Sequence, residues 1–146
     1  NEREQQMADV QNVLCDGGVA LYRIDYHYVQ GTQMHGIVVG GNIRCFLKLA
    51  GTAYMPDLHG KILLLESRSG TVARMETYLS QLQQIGAFKQ IAGILLGTFT
   101  EMEAKQCTPD IVQLVKRYAG DIMPIAVTGQ IGHGTDAKGI VIGAEV

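Results

Sequence analysis

The sequence predicts a mixed α/β domain built on a small parallel sheet. Two near-continuous apolar runs, residues 61–66 and 91–96, read as strands covered on both faces. The stretches that follow them, residues 71–85 and 108–118, place apolar residues at helical spacing. A third short run, 124–127, completes the order strand–helix–strand–helix–strand. That order implies parallel strands joined by crossover helices. The chain has 146 residues, a length that suits one domain.

Each element has a local reason. Residues 2–14 read as a short amphipathic helix, with Met7, Val10 and Leu14 as its stripe and Asp16-Gly17-Gly18 as its end. Residues 19–29 alternate: Tyr22, Ile24, Tyr26 and Tyr28 fall on one face, Arg23, Asp25 and His27 on the other, as in a half-buried strand. A turn over 31–36 leads to a short strand, 37–39, and Gly40-Gly41-Asn42 turns into a helical stretch over 43–49. In the helix over 71–85, Val72, Met75, Leu79 and Leu82 form the apolar stripe and Gly86 the stop. A long loop leads to Thr108-Pro109, which reads as an N-cap followed by Pro at the first helical position. A last strand spans 139–144. The flanking strands 19–29, 37–39 and 139–144 have no crossover helices between them, so they are expected to form a second, antiparallel layer.

Composition narrows the function. The formal charge of −2 comes with no dense basic stripe, which argues against a nucleic-acid partner. No apolar run is long enough to cross a bilayer, and no signal-peptide pattern stands at the start. Cys15, Cys45 and Cys107 are scattered, odd in number and without a C-x-x-C, which fits a reducing compartment better than a disulfide framework. The polar opening from Asn1 reads as a piece of a longer chain.

In parallel α/β units, ligands gather at the carboxyl ends of the strands. Three segments map there: Glu66 at the end of the first buried run, Gly97-Thr98-Phe99-Thr100 after the second, and Ile131-Gly132-His133-Gly134-Thr135-Asp136 after the third. A carboxylate closing a run of leucines needs a partner. It can be a solvated strand end, a salt bridge to Arg68 or Arg74, or part of a site. His133 between two glycines is either a loop histidine of no consequence or a presented base that titrates near neutral pH. His27, His35, His59 and His133 show no metal-ligand spacing. A Glu and a His on one edge make two thirds of a hydrolytic triad, the His as base and the Glu as its orienter. The nucleophile is missing. There is no G-x-S-x-G elbow, and Ser67, Ser69 and Ser80 lack the setting of an activated serine.

The segments Gly40-Gly41-Asn42-Ile43, residues 49–66, Arg74-Met75 with Leu79 and Leu82, residues 92–99, and Gly132-His133-Gly134 resemble, in order, the C-terminal domain of the LD-carboxypeptidases. The resemblance runs from about Gly36 to Gly143. It implies a swivelling β/β/α-type domain, with residues 1–30 as linker helix and first strand after an N-terminal domain, and 31–146 as the C-terminal domain. It implies cytoplasmic, commonly homodimeric serine peptidases that need no metal or cofactor. Their Ser sits on the N-terminal domain, and the Glu and His of the triad fall on Glu66 and His133. Typical members release terminal D-alanine from murein tetrapeptides by cutting an L–D peptide bond, during cell-wall recycling. One branch instead cleaves microcin-type aminoacyl nucleotides.

Many members carry an acidic stretch after the catalytic Glu. Here Ser67-Arg68-Ser69-Gly70-Thr71-Val72-Ala73-Arg74 stands instead, which leaves the substrate open. Asn42, Arg68 and Arg74 are the expected substrate contacts, the arginines because a guanidinium can grip a terminal carboxylate with two hydrogen bonds. Each also reads as a turn residue or a surface charge. The reading from another class is a non-catalytic binding domain that kept the fold.

Overall fold

The computed structural model describes residues 2–18 and 23–146. Helix α1 (Glu2–Leu14) leads in, followed by β1 (His27–Gln30), β2 (Val38–Asn42), α2 (Ile43–Leu47), β3 (Ile62–Ser67), α3 (Val72–Gln84), β4 (Gly93–Phe99), α4 (Thr100–Ala104), α5 (Ile111–Ala119) and β5 (Ile125–Val127). The strands form one five-stranded sheet in the order β1-β5-β4-β3-β2. β2, β3, β4 and β5 run parallel, and β1 is antiparallel to β5.

The α/β class and the parallel unit stand as the sequence predicts. The flanking strands differ. They extend the same sheet instead of making a second layer: β2 joins it parallel to β3, and β1 caps the other edge. β2 reaches its place through α2 and the loop after it, a crossover too short in helix to be recognised from periodicity. The predicted strand over 139–144 is replaced by a chain end that follows the β2 edge antiparallel. Val38 N donates to Ala144 O at 2.9 Å, Gly143 N to Val38 O at 2.8 Å, and Ile37 bridges Glu145. Tyr22 and the first residues of the predicted strand 19–29 lie outside the described residues. Of its described part only residues 27–29 are strand, within β1, and residues 23–26 are not, although Tyr26 and Tyr28 still meet edge to face with ring centroids 5.7 Å apart.

Alternation along the strands explains why they read as continuous apolar runs. Val39, Leu63, Leu65, Ile94, Leu96 and Ile125 face the helices and pack with Ile43, Met75, Leu79, Leu82 and Leu114. Val38, Ile62, Leu64, Leu95 and Ala126 face the other way, under Ile24, Tyr28, Met34, Ile131 and Ile140. Thr71 sits at the N-cap of α3 without a side-chain cap bond. Three buried side chains outweigh that omission: each contributes about 1.5–3 kcal/mol, against about 1 kcal/mol for a cap.

Two boundaries move. α5 begins at Ile111 with Asp110 as its cap, not Thr108, because Asp110 and Gln113 close a reciprocal capping box. The loop expected after β4 contains α4. The stripe of α1 faces solvent, with Met7 70% and Leu14 76% exposed.

Candidate active site

The site begins with the pleat of β3. Glu66 lies on the same side as Ile62 and Leu64, the face opposite α3 and α5, and in register with Asn42 of β2. It is buried, 8% exposed, although it is a carboxylate. On that same side of β4 the chain has Gly97. A β-carbon there would stand 3.1 Å from the Glu66 Cβ and 2.5 Å from the Ile131 carbonyl oxygen. The absent side chain is therefore the space in which Glu66 and the loop after β5 meet.

That loop continues the ladder beyond β5. Thr128 N donates to Leu96 O at 2.9 Å, and Thr98 N donates to Ile131 O at 2.8 Å. Gly132 then passes against the Thr98 side chain, with φ +141, where a β-carbon would collide with Thr98 Oγ1. The next amide, His133 N, donates to Thr98 Oγ1 at 3.3 Å. The loop thus bends back along β4 and delivers the His133 ring to β3.

His133 Nδ1 stands 2.7 Å from Glu66 Oε2. The carboxylate side chain is 10% exposed and the imidazole 37%. The two atoms are at ion-pair distance, but the approach is not in line enough to satisfy Oε2 as a hydrogen bond. Catalytic contacts of this kind commonly align only when the site is complete. Neither alternative for Glu66 holds: its partner is His133, and among the described residues Arg68 and Arg74 form no ion pair with it.

The remaining predicted residues take different places. Asn42 caps α2, accepting from Cys45 N at 3.3 Å, one strand away from Glu66. Arg68 is exposed on the loop after β3, and its carbonyl accepts from Glu101 N at 3.1 Å. Arg74 is exposed on the first turn of α3 and lies over Gly70, where its charge acts on Glu101. Ser67 is buried and donates to Ser69 O at 2.9 Å, a loop-closing bond. No serine hydroxyl is hydrogen-bonded to His133 among the described residues.

Glu101 was not singled out from the sequence. Its carboxylate accepts from Gly70 N at 2.5 Å and from Lys105 Nζ at 2.6 Å, which straps the loop after Glu66 to α4. The only local trace is the Glu101–Lys105 spacing of four residues. An apolar hollow of about 270 Å³ between Tyr28, Met34, Ile62, Leu95 and Ile140 is lined by neither Glu66 nor His133.

Comparison with known proteins gives the family and the fold. Residues 35–146 match the LD-carboxypeptidase C-terminal domain. The chain is similar to the murein tetrapeptide carboxypeptidase of Pseudomonas aeruginosa, 31% identical over 110 residues, which are 73% of this chain and 35% of that protein. An MccF-like protein from Bacillus anthracis superposes with a TM-score of 0.67 at 28% identity, over 82% of this chain and 38% of that one. The microcin C7 self-immunity protein MccF has the same fold, with a TM-score of 0.70 at 19% identity over 85% of this chain and 38% of that chain. The chain spans about a third of the length of the curated relatives it matches.

Proposed function

The chain belongs to the LD-carboxypeptidase family, through that family's C-terminal domain, and from this we propose that its parent is a serine carboxypeptidase to which it contributes Glu66 and His133. The observation that carries the proposal is the 2.7 Å contact between His133 Nδ1 and Glu66 Oε2. A ring held at Nδ1 has Nε2 left for a nucleophile. In this reading residues 1–30 form the link to an N-terminal domain and residues 31–146 the catalytic half. The N-terminal domain supplies the Ser.

The chemistry follows from those roles. Nε2 of His133 takes the serine proton as the oxygen attacks the scissile carbonyl. The C–N bond breaks as His133 returns the proton to the leaving amine, and an acyl-enzyme remains. Water, deprotonated by the same nitrogen, releases the acid and restores the serine. Glu66 orients the ring and stabilises the imidazolium. The substrate is a murein tetrapeptide, as in the name of the Pseudomonas aeruginosa relative; the leaving group is D-alanine, and the parent is cytoplasmic, homodimeric and part of cell-wall recycling. Arg68, Arg74 and Asn42 would meet the substrate from the rim.

The test is release of free D-alanine from murein tetrapeptide by the full-length parent. Glu66→Gln and His133→Ala are each expected to lower turnover by about 10²- to 10⁴-fold. Unchanged turnover in both variants overturns the assignment in favour of a binding domain. The second reading, cleavage of aminoacyl nucleotides, is supported by the likeness to the microcin C7 self-immunity protein MccF, 30% identical over 78 residues. Turnover of an aminoacyl sulfamoyl adenosine in preference to the tetrapeptide would select it.

A further inference from the structure

Loop 128–138 carries His133, and Thr98 holds it from one side only. On its other side stands a closed set of hydrogen bonds to the segment before β1. Gln130 Nε2 donates to Asp25 Oδ2 at 2.7 Å, and Asp25 N donates back to Gln130 Oε1 at 2.8 Å. Thr128 Oγ1 donates to Asp25 O at 2.7 Å and accepts from Gln130 N at 3.1 Å. Lys138 N donates to Gln130 O at 2.6 Å and so closes the loop onto the same residue. Further out, Gln6 Nε2 of α1 donates to Ala137 O at 2.6 Å and to Thr135 O at 3.1 Å.

We infer that Asp25 and Gln130 are positioning residues for the catalytic histidine, so that the segment before the matched domain sets the His133–Glu66 geometry. The inference rests on the role proposed above for His133. The physical case is one of constraint. Between Gly132 and Asp136 the chain is exposed except where Gly132 meets Thr98, so its own packing does not fix it. Two glycines flank His133, which leaves the backbone free to swing. Within the stretch the described bonds are few: His133 N reaches Thr98, Thr135 O accepts from Gln6, and Gly134 O accepts from Ala137 N at 3.3 Å. Its two ends are held by Thr128 and Gln130 before it and by Gln6 and Lys138 after it. Gln130 sits at the crossing point, with its side chain on Asp25 and its carbonyl on Lys138 N. Two opposed amide-type bonds fix the plane of the Gln130 side chain as well as its distance, and one of them ends on a carboxylate, the stronger kind. A displacement of about 1 Å at a base costs about 10²-fold in rate, which is the scale at which a released loop would act.

Neither Asp25 nor Gln130 touches Glu66 or His133, so both act through the backbone. Asp25 is 105 residues from Gln130 in sequence. It lies before residue 35, where the family match begins.

The experiment uses the full-length parent with isotope-labelled histidine. The His133 ring signals are assigned by their loss in His133→Gln. In the unaltered protein, one sharp set is expected. In Gln130→Ala and Asp25→Ala, that set is expected to broaden or split while the other histidines keep theirs. Turnover of the tetrapeptide should fall about 10- to 100-fold with KM nearly unchanged. Asp25→Asn, whose side-chain oxygen still accepts from Gln130, should restore most of the rate. Gln130→Glu, which keeps the volume and removes the donor, serves if Gln130→Ala does not fold. Unaltered His133 signals in the alanine variants overturn the inference. Loosened His133 signals with full turnover would uphold the clamp and overturn the catalytic role of His133, so the two failures are told apart.

Discussion

At the scale of single residues, the site depends on what is absent from β4. Glu66 and Ile131 share the space above Gly97. An added methyl group there would meet a backbone carbonyl oxygen at 2.5 Å, and a carbonyl in a laddered segment cannot turn aside as a side-chain tip can. Gly97→Ala should therefore lift the loop that carries His133. Expected are a stability loss of about 1–3 kcal/mol from overpacking and, in the role proposed for His133, a turnover loss of about 10²-fold from its displacement. Denaturant midpoints and D-alanine release by the full-length variant measure the two separately. A variant that loses stability but keeps its rate would mean that the loop does not move when crowded. Gly97 was legible only as part of a loop at a strand end. Its function depends on Ile131, 34 positions away, and no local pattern reports that contact.

At the scale of elements, α4 ties the loop after Glu66 into place, although the sequence reads that stretch as loop. The Glu101 carboxyl is held below its ordinary value of 4.5, chiefly by the hydrogen bond from Lys105 and then by the Gly70 amide. The charges of Lys105 and Arg74 add to this and burial opposes it. Lys105 is in turn raised above its ordinary 10.5, chiefly by Glu101. A lowered carboxyl contributes stability that is present above pH 4.5 and is lost as pH falls through its folded value. A raised lysine contributes stability that is present below pH 10.5 and is lost as pH rises through its folded value. The strap is thus whole between those limits. Glu101→Gln keeps an acceptor for Gly70 but loses the charge. Amide-exchange protection at Gly70 should fall about 3- to 10-fold at neutral pH, the difference between a charged and a neutral acceptor. Equal protection in both proteins would mean that the loop holds itself. The strands and α3 were readable because burial on both faces, or on one stripe, marks the sequence itself. The cap at Asp110, the helix α4 and the sheet position of β2 were not, since each is decided by a side chain meeting backbone or by an order of strands that periodicity does not encode.

At the scale of the whole molecule, parallel strands explain how two residues 67 positions apart form one pair. β3 and β4 both end at the same edge, and the ladder after β5 turns the chain back toward β3. The sequence made this edge legible, because any parallel unit places its strand ends together. The same topology has a consequence for activity. The chain has three serines. Ser67 is buried and bonded to its own loop, Ser69 lies on that loop's exposed turn, and Ser80 is inside α3. None stands at a strand-to-helix elbow of the kind that presents an activated nucleophile. In the proposed roles, a base with its orienter but no nucleophile can bind a proton and still not cleave a peptide bond. The isolated 146-residue chain is therefore expected to release no D-alanine above the blank from murein tetrapeptide, while the full-length parent does. The comparison requires folded protein, which dispersed amide signals and a cooperative melt would establish. Sustained turnover by the folded fragment, lost in His133→Ala, would show that one of its own hydroxyls or a bound water serves as nucleophile. A silent fragment beside an active parent would leave His133 and Glu66 as half of a site completed from outside the chain.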